Sequence, residues 1–279
     1  MPLERSEVAA VRLGRQIAVV GGFLADGASS PRVDLYAPAL DRWTRLPDLP
    51  IGVNHAMAAA SGSRLFVVGG YAGSLGRGVP QRGAFVLELG SWRQLRLLPE
   101  PRAAAGAAIV GGKLYVVGGV DGAGLARGAF ALDLGSGRWT AIPGPTPREH
   151  LGVTAARGRV YAVAGRTGGI GSNLALVEEY DPASGRWRRL PPVPDPRGGT
   201  GAAAASGAIV SAGGEEPEGT IASVYAFDLD RRRWRRLPDL PTPRHGLGVV
   251  GFGERVYTLA GGREPGLAVS GVNESLSLS

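Results

Sequence analysis

The chain contains no cysteine. A disulfide framework, a thiolate nucleophile and a sulfur-ligated zinc site are therefore excluded. Lysine is almost missing too: Lys113 is the only one, so arginine carries nearly all of the basic charge behind the formal +7. No stretch of about 18 consecutive apolar residues exists, so no membrane-spanning helix is expected. The opening segment, Met1-Pro-Leu-Glu-Arg-Ser-Glu, lacks a basic region followed by an apolar run, so no signal peptide is written in it. No ten-residue segment shows a 3.6-residue apolar period, and no helix is expected. What the chain has instead is turn-forming residues, 46 Gly and 21 Pro in 279 positions, with a hydrophobic content of 44% that suffices for a core.

The glycines are ordered. Short apolar runs end in a glycine pair at Ile17–Gly22, Leu65–Gly70 and Leu114–Gly119. Ala-Gly or Gly-Gly ends three more, Val160–Gly165, Ile209–Gly214 and Val256–Gly261. The final glycines are 48, 49, 46, 49 and 47 residues apart, and a period in that range marks a repeat architecture. The five tryptophans keep step: Trp43, Trp92, Trp139, Trp187 and Trp234 are spaced 49, 47, 48 and 47. Segments such as Val33–Pro38, Val177–Pro182 and Val224–Asp228 precede the tryptophans, and Leu-Pro steps follow at Leu46, Leu190 and Leu237. Each repeat reads as four short strands: a small apolar one, one ending in the glycines, one carrying Tyr or Phe, and one at the Trp. Four antiparallel strands repeated radially make a β-propeller, here six-bladed and one domain over residues 1–279.

Gly-Gly, Tyr-Asp-Pro, Trp and Pro-Arg in this order resemble the kelch repeat over nearly the whole chain. Segments such as Val53–Ala59 and Pro147–Val153 are similar in particular to bacterial kelch-repeat proteins. The resemblance implies a binding scaffold, with enzymes a minority in the family. Copper radical oxidases also carry kelch-type propellers, but their cysteine-crosslinked tyrosine is excluded by the missing cysteine.

Closure is expected to be incomplete. The residue opening the first strand follows a Trp by ten positions in repeats 2, 3, 5 and 6, and by nine in repeat 4. Arg5 holds that position in repeat 1, so its Trp would fall before Met1. The last blade should have three strands, or else the natural chain starts upstream. The compartment stays open, with export expected if an upstream segment exists.

Candidate site residues come from one repeat position and its neighbours. Seventeen residues before each final glycine lie Arg5, Val53, Arg102, Arg148, Arg197 and Arg244. The next two positions hold Ser6-Glu7, Asn54-His55, Ala103-Ala104, Glu149-His150, Gly198-Gly199 and His245-Gly246. Residues just past the glycines, including Phe23, Tyr71, Arg166 and Glu215, should share their face, since the first strand starts where the second ends. The candidate ligand-binding set is Arg5, Glu7, Asn54, His55, Tyr71, Arg102, Arg148, Glu149, His150, Arg166, Arg197, Glu215, Arg244 and His245. Arginine suits carboxylates through its bidentate fork. The alternative is that arginine after proline hydrogen-bonds an adjacent blade or strand end. Strand alternation is expected to turn His245 away from His55 and His150, so no three-histidine metal site is expected.

The basic runs Arg186–Arg189 and Arg231–Arg236 fall on the fourth, outermost strands. There they protect an edge rather than form one nucleic-acid groove. The glycine-rich segment 165–171 is followed by no helix, so it is not a phosphate loop. The sequence thus points to a monomeric binding module with no cofactor and no nucleic-acid partner. Its expected ligand is an acidic small molecule, a protein segment or a glycan. The alternative is a carbohydrate-active enzyme resembling kelch-type sialic acid mutarotases, where Glu7, Glu149 or a histidine moves a proton while arginine holds a carboxylate.

Overall fold

A computed structural model describes residues 1–278. Six antiparallel sheets are arranged around a central channel. Five have four strands in chain order, and the sixth has three, Gly248–Phe252, Arg255–Leu259 and Asn273–Ser277. The only helical elements among the described residues are two 3₁₀ turns, Pro38–Leu40 and Ile170–Ser172. No helix there is long and apolar enough to cross a membrane. The inner strands are Ala9–Leu13, Met57–Ser61, Gly106–Val110, Gly152–Ala156, Gly201–Ala205 and Gly248–Phe252. Each packs on the next, and the sixth packs back on the first. They are short and rich in Ala and Gly because six strands crowd one axis.

No blade buries its own face, which is why the repeat needs its neighbours. Six apolar clusters result, each mixing side chains of two adjacent blades. One joins Val20 and Leu35 to Val53 and Leu65, and another joins Ile17 and Tyr36 to Val250 and Leu259 across the closure. The indole N–H groups of Trp92, Trp139, Trp187 and Trp234 donate to backbone carbonyls of the preceding blade at 2.8–2.9 Å. Trp therefore stitches blades as well as covering them.

The glycine pairs provide a second seam. The final glycine of every blade donates its N–H to the residue that opens the next blade: Gly22 to Val53, Gly70 to Arg102, Gly119 to Arg148, Gly165 to Arg197, Gly214 to Arg244 and Gly261 to Arg5, all at 2.8–2.9 Å. At Gly22 φ is +101°, and an added Cβ would lie 2.5 Å from the Ser6 carbonyl oxygen. Only glycine combines that dihedral with that approach.

Candidate functional site

The five arginines that open blades are completely buried. Each bonds the carbonyl of the residue before its own blade's final glycine. Arg5 reaches Gly21 at 2.7 Å, Arg148 reaches Ala164 at 2.7 Å and Arg244 reaches Ala260 at 2.7 Å, while Arg102 and Arg197 make longer contacts to Gly118 and Gly213. Carboxylates complete several of the pairs: Asp34 with Arg5, Glu178 with Arg148 and Glu274 with Arg244. Burial pulls the Arg5 and Arg197 guanidinium groups down to about 10, still charged at neutral pH. The expected convergence of Arg5, Arg102, Arg148, Arg197 and Arg244 on the channel mouth is not what the structure shows. Their forks are occupied inside the blades because a buried guanidinium requires acceptors, and the buried strand-end carbonyls supply them.

The two following positions do reach the mouth. The first of them bridges to the residue after the glycines, as in Ser6–Phe23, Asn54–Tyr71, Glu149–Arg166, Gly198–Glu215 and His245–Gly262. The second forms a ring of its own. Glu7, His55, Ala104, His150, Gly199 and Gly246 all have φ between +50° and +66°. Their backbones are linked around the axis by N–H to carbonyl bonds: His55 to Glu7, Ala104 to His55, His150 to Ala104, Gly199 to His150 and Gly246 to Gly199. Closing the circle, Val8 donates to Gly246 at 3.3 Å. This left-handed step breaks the pleat, so both positions face the mouth. That is why His245 joins the other histidines here, contrary to the alternation argument.

Above the ring lies a cavity of about 480 Å³. Its upper walls are apolar: Phe23, Tyr71, Leu75, Ile170 and Leu267, several on loops between the second and third strands. Its floor is polar, with Glu7, Asn54, His55, His150, Arg166, Glu215 and His245. Glu149 lies behind the floor, 3.3 Å from both His150 Nδ1 and Arg166 Nε.

The floor is densely connected. One Glu7 oxygen sits 3.1 Å from His245 Nδ1, and the other 3.1 Å from His55 Nε2. His55 Nε2 and His150 Nε2 are 2.9 Å apart. Arg166 donates to Glu215 at 2.8 Å, and the other Glu215 oxygen accepts the Gly266 N–H at 2.9 Å. Burial opposes ionisation of Glu7, but the surrounding histidines outweigh it and hold the carboxyl well below its usual range. Burial drives His55 down to about 4, so it is neutral at pH 7. Burial also works against protonation of His245, yet its contacts with Glu7 and Glu215 raise it above its ordinary value. Glu7 and His245, 3.1 Å apart, thus favour each other's charged form, while His55 and His150 lie beside them.

The three histidines do not form one ligand set. Among the described residues, potential ligand atoms group as Glu7, His55 and His150, and as Glu7, Glu215 and His245. Phe23, Leu75, Ile170 and Leu267 were not in the candidate set from sequence. Phe23 was expected on this face from its place after the glycines but was left out of the ligand set, whereas the three aliphatic residues lie in loops that differ between repeats and carry no signal.

Comparison with known proteins agrees with this geometry. The KLHDC2/KLHL20/DRC7 Kelch-repeats domain family matches residues 7–193 and 54–262. Kelch-like protein terF of Aspergillus terreus is 28% identical over 79% of this chain and 52% of its own length. Kelch-like protein 35 of Mus musculus is 30% identical over 65% of this chain and 30% of its own, and F-box/kelch-repeat protein At1g16250 of Arabidopsis thaliana is 38% identical over 19% of this chain and 14% of its own. The chain spans about half the length of these relatives or less. They are fungal, mammalian and plant proteins, so the expected bacterial affinity finds no support among them. On the strength of the family match and the six-bladed architecture, this chain belongs to the kelch-repeat family of β-propellers.

Proposed function

We propose that this propeller is a protein-interaction module whose recognition site is the cavity at the channel mouth, occupied by a segment of a partner protein. The observation that carries this reading is the cavity itself. Its apolar walls stand over a buried, charged floor, and its volume suits one or two side chains or a chain terminus. Leu75 and Leu267, 52% and 38% exposed, offer apolar surface at its rim. An acidic ligand lacks support, because the blade-opening arginines are buried and the floor sets Glu7 and Glu215, with Glu149 behind them, against Arg166 and His245. No feature of the cavity singles out a glycan. Peptide display against the purified protein tests the reading. Selected peptides should weaken by about tenfold or more with Tyr71→Ala and with Leu75→Asp. Binders indifferent to both changes would move recognition elsewhere.

A second reading, an enzyme, is favoured by one feature: a carboxylate within 3.1 Å of two histidines in a sheltered cavity. Glu7 and neutral His55 are then the proton-moving groups. Sugar-acid mutarotation that is lost in Glu7→Gln would select this reading over the first.

A further inference from the structure

We propose that Glu7, His55 and His150 form a binding site for a divalent first-row transition metal ion at the floor of the mouth cavity. The inference rests on that cavity being the working face of the protein, but not on what else occupies it.

The ligand atoms are already gathered. His55 Nε2 is 2.9 Å from His150 Nε2 and 3.1 Å from Glu7 Oε2. A tetrahedral ion with bonds of about 2.0–2.1 Å needs ligand atoms roughly 3.3 Å apart, so the two edges at His55 need to open by only a few tenths of an ångström, while Glu7 and His150, within 4.8 Å of each other, must draw together. Two imidazoles and one carboxylate suit zinc and its neighbours in the first transition row. The cavity above leaves room for a further ligand.

The hydrogen bonds behind the set fix which ring nitrogen faces it. Ser29 donates its hydroxyl to the Gly73 carbonyl, so its oxygen accepts from Asn54 Nδ2 at 2.8 Å. Asn54 Nδ2 also points to the Tyr71 carbonyl, which can only accept. Asn54 Oδ1 is therefore the atom turned to His55, and it takes the Nδ1 proton at 2.5 Å. In the neutral imidazole that proton sits at Nδ1, and Nε2 then presents a lone pair. That lone pair faces a carboxylate oxygen, another acceptor, at 3.1 Å. On the far side, Glu149 lies 3.3 Å from His150 Nδ1 without a formed hydrogen bond, and His150 Nε2 faces the same point as His55 Nε2. A carbonyl bonded behind His55 and a carboxylate close behind His150 resemble the arrangement that orients metal-binding histidines. A proton on His150 Nε2 fills this point in the free protein, and a metal ion that displaces it gains both imidazoles and the carboxylate together.

The second group, Glu7, Glu215 and His245, has no such deficit. His245 Nε2 donates to the Glu264 carbonyl and its Nδ1 faces Glu7, while both Glu215 oxygens already have donors.

Backbone strain supplies an independent observation. The six ring residues share a left-handed conformation in which side chains are disfavoured. Two positions carry Gly, as the dihedral prefers, and a third carries Ala104, whose small side chain makes no polar contact. The other three carry Glu7, His55 and His150, the proposed ligands. At Gly246 an added Cβ would fall 2.6 Å from the Glu7 carboxyl carbon, so glycine there makes room for this ligand.

The test uses the whole chain, treated with chelator and then titrated with Co²⁺ and Zn²⁺ without any peptide or sugar. The expected result is one bound ion, a tetrahedral or five-coordinate Co²⁺ absorption spectrum displaced by Zn²⁺, and a melting temperature that rises with Zn²⁺. Asn54→Ala should weaken Zn²⁺ by about 10–100-fold, and His55→Ala and His150→Ala by more. These two alanine variants should fold, because Ala104 is native at the same ring position, and circular dichroism checks that they do. Glu7→Gln provides a third removal with the shape retained. Absence of a stoichiometric ion in the wild type would overturn the site, as would undiminished affinity in the folded His55 and His150 variants. Because no partner segment is present, failure here leaves the peptide-binding result separate.

Discussion

Two rings of residues circle this channel only two positions apart, and they obey opposite rules. The blade-opening ring is nearly uniform, with five arginines and Val53, and it is buried. The mouth ring is varied, with Glu7, His55, Ala104, His150, Gly199 and Gly246, and its polar members line the cavity. Uniformity marks what each blade needs to finish its own strand ends. Variation marks what the molecule as a whole presents to a ligand, because a six-fold scaffold has no structural use for a different side chain at each step.

The largest expected effect breaks that contrast directly. Arg148→Ala strands Glu178, which is 5% exposed, without its guanidinium. Urea unfolding should show a loss of about 3–5 kcal/mol. His150→Ala, two residues on, should lose only about 1 kcal/mol in the same measurement. Equal losses would erase the distinction between the rings.

A pH series on chelator-treated protein comes next. His55 is held near 4 in the folded state against 6.5 ordinarily. The unfolded chain therefore binds more protons in that window, and stability falls as pH drops from about 6.5 to 4, by at most about 3 kcal/mol. Glu7, held below its usual range, extends the loss below that window. His245 is raised, so its contribution is complete below its unfolded value and is lost as pH rises through its folded one. His55→Ala should flatten the acid side of the stability curve; an unchanged acid slope would remove His55 as its cause.

A smaller effect sharpens the backbone argument. With φ at +51°, His150→Gly should be more stable than His150→Ala by about 1 kcal/mol. A reversed order would mean that the ring does not strain its side chains.

The smallest effect lies at the rim. Arg231 pairs with Asp228 in solvent, and Arg231→Gln should leave the urea unfolding midpoint essentially unchanged. Light scattering on the combined change of Arg231, Arg232 and Arg235 to Gln should show more aggregation, since the first two sit in the turn leading into the outer edge strand Arg233–Leu237 and the third lies on it. Nucleic-acid binding by the native protein that this change abolishes would contradict the edge-protection reading.

The sequence by itself determined the propeller. Glycine and tryptophan periods record contacts that every blade makes with its neighbour, so they repeat and can be counted. The six-blade count, the four-strand unit and the three-stranded last blade followed from that spacing alone. It also placed Glu7, Asn54, His55, Tyr71, His150, Arg166, Glu215 and His245 on one face. Side-chain direction was decided only by the tertiary structure. The arginines turn inward because strand-end carbonyls and buried carboxylates await them, a demand no spacing reveals. His245 turns toward the mouth because a left-handed residue follows it and ends strand alternation. Leu75, Ile170 and Leu267 meet over the floor because loops from three different blades lean across the same axis, and proximity between loops has no period to read.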